Sequence, residues 1–269
     1  MKQTVTTLSH NPPGFGHKIF VWEYLQIKYR DTHEIVLSDK IYPESEFITF
    51  PNTSITSEDN IRALKEDWDC IFNKIPMPND RHRPLKLLEF DKELEHLVYT
   101  KCMDMVGVHI RRGDLMDDGS EAYNQWLDSD NNNWKQAYLD DEYYIKLCDR
   151  ILEKNPRQIF YLSTDATLDE VKFFTDRYDT VISDNMLLHK KERPKWGFAQ
   201  GYGTPKIDLH DVTDLLALSY CKIFIASNSM WSEFASVYRK VPTKYPVNCF
   251  SIAPRQGLYY INDNIRSQR

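Results

Sequence analysis

Short apolar segments alternate with amphipathic ones through the second half of this 269-residue sequence, and this alternation constrains the fold more than any other feature. The apolar segments have the length of β-strands and lie at Val106–Ile110, 158–163, 180–183, 222–226 and about 247–252. Helical spacing of apolar residues, and a capping box formed by Thr167 and Glu170, predict helices over 141–154, 167 to about 178, 212–221 and 230–239. Strands that alternate with helices are typical of a parallel, doubly wound sheet. We therefore predict an α/β fold.

The N-terminal part of the chain contains the same kinds of element in a less regular order. The pattern predicts a strand over 3–8, a turn containing Gly14 and Gly16, a helix over 19–29, a strand over 35–37, a loop over 42–56 and a helix over 57–75. The length of the chain suits two domains, which we place at 1–100 and 101–269.

Charge and composition narrow the classes of partner. The net charge of −6 provides no basic field for nucleic acid or an anionic membrane, so any anion has to be bound locally. The five cysteines are widely spaced without a Cys-x-x-Cys pair, which favours reduced core thiols. The N-terminal residues lack the apolar run of a signal peptide, and no segment has the length of a membrane span. We expect a soluble cytoplasmic protein with no nucleic-acid partner.

Two arginines directly follow the strand Val106–Ile110. Burying Arg111 and Arg112 is costly unless an anion lies opposite them, and a planar guanidinium matches phosphate oxygens two at a time. A diphosphate is therefore a natural ligand at this strand end. The alternative is a structural ion pair between Arg112 and Asp114.

Three strand ends carry polar groups where a doubly wound sheet places its ligand. They are His109 with Arg111, Thr164 with Asp165, and Ser227-Asn228-Ser229. The third leads into the helix that starts near Met230, so its amides and hydroxyls predict an anion site. Asp165 is an acceptor suited to the adjacent N–H donors of guanine. Taken singly, Asp165 and Ser229 fit helix caps equally well.

Three motifs follow one another in the second half: His109-Ile110-Arg111-Arg112-Gly113-Asp114, then Ser163-Thr164-Asp165, then residues 214–219 leading to Ser227-Asn228-Ser229. In order and approximate spacing they resemble the three motifs of the α1,2-, α1,6- and protein O-fucosyltransferase superfamily, over about 106–237. The stretch Gly14-Phe15-Gly16-His17-Lys18 resembles a degenerate form of that superfamily's N-terminal Gly-x-Gly-Asn-Gln loop, with His17-Lys18 in place of Asn-Gln.

The resemblance implies a GT-B architecture, in which two Rossmann-like domains face a cleft and the C-terminal one binds GDP-fucose. It implies that Arg111 holds the β-phosphate, His109 lies near the nucleotide, Asp165 binds guanine, and Ser227, Asn228 and Ser229 receive the diphosphate. Arg112, Gly14, Gly16 and His17 complete the expected donor site. The implied reaction is the inverting transfer of fucose from GDP-fucose to a glycan hydroxyl, without a metal or other cofactor. Arg111 and a helix N-terminus can stabilise the leaving GDP as a cation would.

The general base is open among four acidic residues, Asp114, Asp117, Asp118 and Glu121, because Gly119 occupies the position of the glutamate that some superfamily members use. Asp117 and Asp118 are our first candidates. The triplet Asp128-Ser129-Asp130 lacks the glycine and glutamate of a calcium loop, so we predict no metal site.

Two other functions stay open at this stage: a transferase that uses another GDP-sugar, and a catalytically silent protein that binds a sugar nucleotide or glycan. The long segment from Ser183 to Val212, rich in lysine, arginine and glycine, predicts either a lid over a phosphorylated ligand or a solvated loop.

Overall fold

The computed structural model describes residues 3–8, 15–39, 42–57, 64–67, 88–112, 139–183, 205–227, 229–239 and 250–252. The chain divides into two compact units, Met1–His96 with Gln200–Val212, and Leu97–Ala199 with Thr213–Arg269. The main sheet of each unit is parallel, which confirms the predicted α/β fold. The arrangement of two domains across a cleft stays a prediction. Within these ranges, every helix is too short or too polar to cross a membrane.

The first unit contains a four-stranded parallel sheet with the order β4-β2-β1-β5, and a separate antiparallel pair, β3 with β6. Its elements are β1 (Gln3–Leu8), α1 (Phe15–Tyr29), β2 (His33–Ser38), a 3₁₀ helix (Pro43–Glu46), β3 (Ile48–Thr49), β4 (Thr53–Thr56), β5 (Leu64–Asp67) and β6 (Glu89–Phe90). Helix α1 contributes Ile19, Trp22 and Leu25 to the core. The Trp22 indole N–H donates to the Thr53 hydroxyl at 3.1 Å, which fixes α1 against β4.

Three predictions for the first unit were wrong. Residues 64–67 form β5, paired in parallel with β1, where a helix was predicted. The pairing satisfies the backbone groups along one edge of β1, and this tertiary gain overrides the local helical spacing. The predicted loop 42–56 contains β4, which pairs with β2 in the same way. The predicted turn ends earlier, because α1 begins at Phe15 and includes Gly16 and His17.

The second unit is built on a five-stranded parallel sheet with the order β11-β10-β7-β8-β9. Helices α2 (Lys92–Cys102) and α5 (Pro205–Tyr220) each begin in the first unit and end in the second. The other elements of the second unit are β7 (Val106–Ile110), α3 (Asp141–Lys154), β8 (Phe160–Thr164), α4 (Lys172–Thr175), β9 (Thr180–Ile182), β10 (Ile223–Ile225), α6 (Met230–Tyr238) and β11 (Phe250–Ile252). The chain runs from β7 outward through β8 and β9, then returns to β10 on the other side of β7. The strand order therefore reverses between β7 and β10, and ligands bind outside the carboxyl ends of strands at such a point.

Two helices of the second unit differ from the prediction. Helix α4 spans only Lys172–Thr175, because the segment before it forms turns. In those turns the Thr167 N–H donates to Glu170 Oε2 at 2.8 Å, which is one half of the predicted capping box. Helix α5 begins at Pro205, well before the predicted start at 212, and proline is favourable in a first turn. The candidate lid is shorter accordingly, and its residues 184–204 lie outside the described ranges.

The two faces of the central strands have different chemistry. On one face, Val106, Val108 and Ile110 of β7 join an apolar cluster with Tyr144 and Cys148 of α3 and Phe174 of α4. The alternate residues Gly107, His109, Tyr161 and Ser163 point to the opposite face, as the two-residue period of a strand requires. A Cβ on Gly107 would lie 3.1 Å from the Cys221 side chain, so the missing side chain allows α5 to pack closely. Both faces of these strands are buried.

Candidate functional site

Three serine hydroxyls surround one ring nitrogen of His109 at the point where the strand order reverses. Nδ1 of His109 lies 2.8 Å from the hydroxyl of Ser227, 2.8 Å from that of Ser232 and 3.3 Å from that of Ser229. His109 is near the end of β7, and Ser227 follows β10. The structure therefore brings His109, Ser227 and Ser229 together at the carboxyl edge of the sheet. Ser232 was not among the predicted site residues, although its position three residues after Ser229 places it in the same first turn of α6.

The same serines form the N-terminus of α6. Ser229 precedes the helix, and its hydroxyl accepts a hydrogen bond from the Ser232 N–H at 3.1 Å, as an N-cap does. The Ser227 N–H donates to the Ser232 hydroxyl at 3.0 Å. Ser229 thus caps the helix and also lies beside His109, so the two interpretations offered by the sequence are compatible. The positive end of the α6 dipole faces the edge where His109 lies.

The imidazole of His109 is neutral at physiological pH. Burial and, to a smaller extent, the positive charge of Arg111 together lower the pKa of His109 to about 3. A neutral imidazole can donate one hydrogen bond and accept one, but it brings no charge to an anion. The positive charge at this edge is therefore supplied by Arg111, which is half-buried directly after β7.

Arg112 is engaged inside the protein. Its side chain is 1% exposed, and its Nη2 lies 2.6 Å from Asp141 Oδ1 in the first turn of α3. Its Nη1 donates to the Leu139 carbonyl at 2.8 Å, and the guanidinium lies over the Tyr144 ring. The anion opposite this arginine is therefore a carboxylate of the protein. This arrangement supports a structural role for Arg112, while its contact with a diphosphate stays a prediction. Asp114, the predicted partner, lies outside the described residues.

Asp165 connects the ends of β7 and β8. Its Oδ1 accepts a hydrogen bond from the Arg112 backbone N–H at 2.7 Å. One residue earlier, the Thr164 hydroxyl donates to the Ile110 carbonyl. These bonds hold the segment that carries Arg111 against the end of the neighbouring strand. The binding of guanine by Asp165 stays a prediction.

A buried carboxylate that the sequence analysis gave no role lies beneath this edge. Asp214 of α5 accepts hydrogen bonds from the Tyr161 hydroxyl at 2.6 Å, the Ser163 hydroxyl at 2.8 Å and the Ser183 hydroxyl at 2.6 Å. Burial and the neighbouring Asp214 charge hold the pKa of Tyr161 well above its usual range. The available signal was an acidic residue within the largely apolar stretch Val212–Cys221, at a position that faces the core.

Several predicted site residues fall outside the described ranges: Gly14, Asp117, Asp118, Glu121, Asn228 and the triplet 128–130. Gly16 and His17 lie in the first turn of α1, in the first unit. Among the residues that the structure describes, His, Cys, Asp and Glu side chains form no group of three or more that could hold a metal ion.

Comparisons with known proteins give structural neighbours only. No protein-family model matches the sequence, and no curated protein matches it. Similar solved structures include NodZ α-1,6-fucosyltransferase co-crystallised with GDP, which is 11% identical with a TM-score of 0.49 over 88% of this chain and 93% of that chain. The fucosyltransferase NodZ from Bradyrhizobium is 12% identical, with a TM-score of 0.47 over 87% and 92%. POFUT1 in complex with GDP is 9% identical, with a TM-score of 0.43 over 93% and 73%.

Proposed function

We propose that this protein is an inverting, metal-independent fucosyltransferase that moves fucose from GDP-fucose to a hydroxyl of a glycan. The observation that carries the proposal is the convergence of three features at one sheet edge: the neutral His109, the charge of Arg111 and the capped N-terminus of α6. The sequence motifs that resemble the fucosyltransferase superfamily contain these same residues. A donor substrate that carries a diphosphate matches the positive charge of Arg111 and the N–H donors at the start of α6.

The proposed mechanism depends on stabilising GDP as it leaves. The guanidinium of Arg111 would contact phosphate oxygens in a bidentate manner, and the amides at the start of α6 would donate to the same group. His109 would contribute a neutral N–H donor. Charge that develops on the leaving diphosphate would thus meet fixed positive groups, which is the task a divalent cation performs in other enzymes. Asp117 or Asp118 is the proposed base that takes the proton of the acceptor hydroxyl.

Asp165 is the proposed acceptor for guanine. Its Oδ1 accepts the Arg112 N–H, and a carboxylate offers about four lone-pair sites, so one carboxylate can accept from several donors at once. The proposed contact would explain a preference for a guanine nucleotide over adenine or uracil nucleotides.

A nucleotide comparison and a transfer assay test the proposal together. GDP should raise the melting temperature more than ADP or UDP, because a ligand that binds only the folded state stabilises it by mass action. Labelled GDP-fucose should be transferred to a glycan acceptor, and EDTA should leave the rate unchanged. Equal shifts with all three nucleotides would remove Asp165 from the site. Binding of GDP without transfer or hydrolysis would identify a silent binding protein, and activity restored by manganese or magnesium after EDTA would contradict metal independence.

A further inference from the structure

Asp214 joins three separate segments of the second unit through one carboxylate. Its Oδ1 accepts from the Tyr161 hydroxyl of β8, and its Oδ2 accepts from the hydroxyls of Ser163 in β8 and Ser183 directly after β9. The Asp214 side chain is 2% exposed, and all three donors are buried as well. The carboxylate therefore works entirely inside the protein.

A buried carboxylate is a poor source of stability in itself. Removing it from water costs several kcal/mol, which its hydrogen bonds only partly offset, and an apolar side chain of similar volume is often no less stable. Directed hydrogen bonds, in contrast, fix the positions of the groups that make them. The cluster around Asp214 therefore indicates a role in fixing the positions of nearby atoms.

The atoms that Asp214 positions lie along β8. Ser163, which donates to Asp214, is the direct neighbour of His109 across the strand pair. The next residue, Thr164, bonds the Ile110 carbonyl, and the one after it, Asp165, receives the Arg112 N–H. Three consecutive residues thus link Asp214 to the segment on which Arg111 lies.

We propose that Asp214 is a positioning residue for the sugar-nucleotide site. It holds Tyr161 and Ser163 in place, so that the end of β8 keeps the end of β7, and with it Arg111, in the geometry that a diphosphate needs. This inference rests on the function proposed above. Asp214 acts through its hydroxyl partners, which distinguishes it from a residue that touches the nucleotide.

The test compares Asp214→Asn with Gln158→Ala. Gln158 is also buried and lies just before β8, where its side-chain amide donates to the Asp104 carbonyl at 2.9 Å. Loss of Gln158 therefore loosens the amino end of the same strand and serves as a control for lost stability. Ser163→Ala, a milder change in the same cluster, carries the test if Asp214→Asn does not fold.

Amide hydrogen exchange, resolved by residue, gives a readout that needs no nucleotide. Asp214→Asn should accelerate exchange of the Arg112 N–H about tenfold, as expected for weakening one hydrogen bond to a charged group. Exchange of the Val106 N–H, which bonds the Ile159 carbonyl at the amino edge, should stay unchanged. Gln158→Ala should show the reverse pattern. Unchanged exchange at Arg112 in both cluster variants would overturn the inference.

Steady-state kinetics give the second readout. Asp214→Asn should raise the KM for GDP-fucose about tenfold, with a smaller change in kcat, while Gln158→Ala should leave KM near its wild-type value. An equal rise of KM in the control would show that Asp214 contributes only stability. If wild-type protein fails to bind GDP, the proposed function fails, and the exchange pattern alone decides whether Asp214 positions the Arg112 segment.

Discussion

The two faces of the sheet in the second unit use the same strands for different purposes. On the α3 face, Val106, Val108 and Ile110 pack into an apolar cluster with no polar partner of their own. On the α5 face, His109 and Ser163 occupy the alternate positions and make hydrogen bonds to serines and to Asp214. One strand thus holds the fold with one set of residues and builds a site with the other. Substitutions on the two faces should therefore have separable effects.

The largest expected effect is a loss of stability on the apolar face. Phe174→Ala removes a fully buried ring that packs against Phe160 and Tyr178, and should lower the free energy of unfolding by about 3–5 kcal/mol. Chemical denaturation measures this change, and the folded fraction should bind GDP with wild-type affinity. Phe173→Ala, at the half-buried neighbouring position, is the matched control and should cost less. Weakened GDP binding by the folded Phe174 variant would break the proposed separation of the faces.

Arg111→Ala tests the polar edge and should have the opposite effect to Phe174→Ala: activity should fall, whereas stability should stay nearly unchanged. Loss of a charge-assisted contact to a desolvated phosphate should cost about 2–5 kcal/mol in transition-state stabilisation, while the melting temperature changes little. Arg111→Lys should also fail, because a point charge cannot replace the bidentate guanidinium. The matched control is Arg177→Ala, which removes an exposed arginine paired with Asp149. Near-normal transfer by Arg111→Ala would show that this residue does not bind the leaving group.

The depressed pKa of His109 predicts how stability depends on pH. The unfolded chain takes up a proton at the usual pKa of 6.5, whereas folded His109 does so only at about 3, so stability falls as pH drops below 6.5. Between pH 6.5 and pH 5 the loss from this residue should be about 2 kcal/mol, at about 1.36 kcal/mol per pH unit. Urea denaturation of the wild type and of His109→Asn at both pH values measures it. The variant should lose this slope, and His96→Asn, which changes an exposed histidine of α2, should keep it. An unchanged slope in His109→Asn would mean that other groups govern acid stability.

The smallest expected effect concerns the cap of α6. Ser229→Ala should cost about 1 kcal/mol of stability through loss of the N-cap, and should also weaken GDP binding. Asp91→Ala is the control, since Asp91 caps α2 by accepting the Leu94 N–H at 2.9 Å. It should show a similar loss of stability with unchanged GDP affinity. If both variants bind GDP with wild-type affinity, Ser229 caps the helix and does not contribute to binding.

Elements that depend on local sequence signals were predicted correctly. Strand β7 is a run of buried residues, and α3 has its own cap at Asp140, which accepts the Tyr143 N–H; both have the predicted bounds. Strand β5 was missed because its partner β1 lies far away in the sequence, where local spacing carries no information. The parallel topology alone predicts that the carboxyl ends of the strands lie at one edge. His109 and Ser227 lie together for this reason.

The partners of the buried charged groups could not be predicted in the same way. Arg112 pairs with Asp141 in the next helix, a partner that its sequence neighbours did not indicate. The three donors to Asp214 come from segments that only the folded sheet brings together. A buried charge can be recognised from its apolar neighbours in the sequence, whereas the identity of its partner depends on side-chain packing across elements.

Gly107 determines how closely the C-terminal end of α5 can approach β7. A methyl group at this position would meet Cβ and Sγ of Cys221 at 3.1 Å and Cδ2 of Leu218 at 3.2 Å, so these neighbours at the C-terminal end of α5 would have to shift by a few tenths of an ångström. Helix α5 is stiff, and a shift at its C-terminal end would be carried toward Asp214, one turn before Leu218. The thickness of the layer between sheet and helix is thus set by a missing side chain.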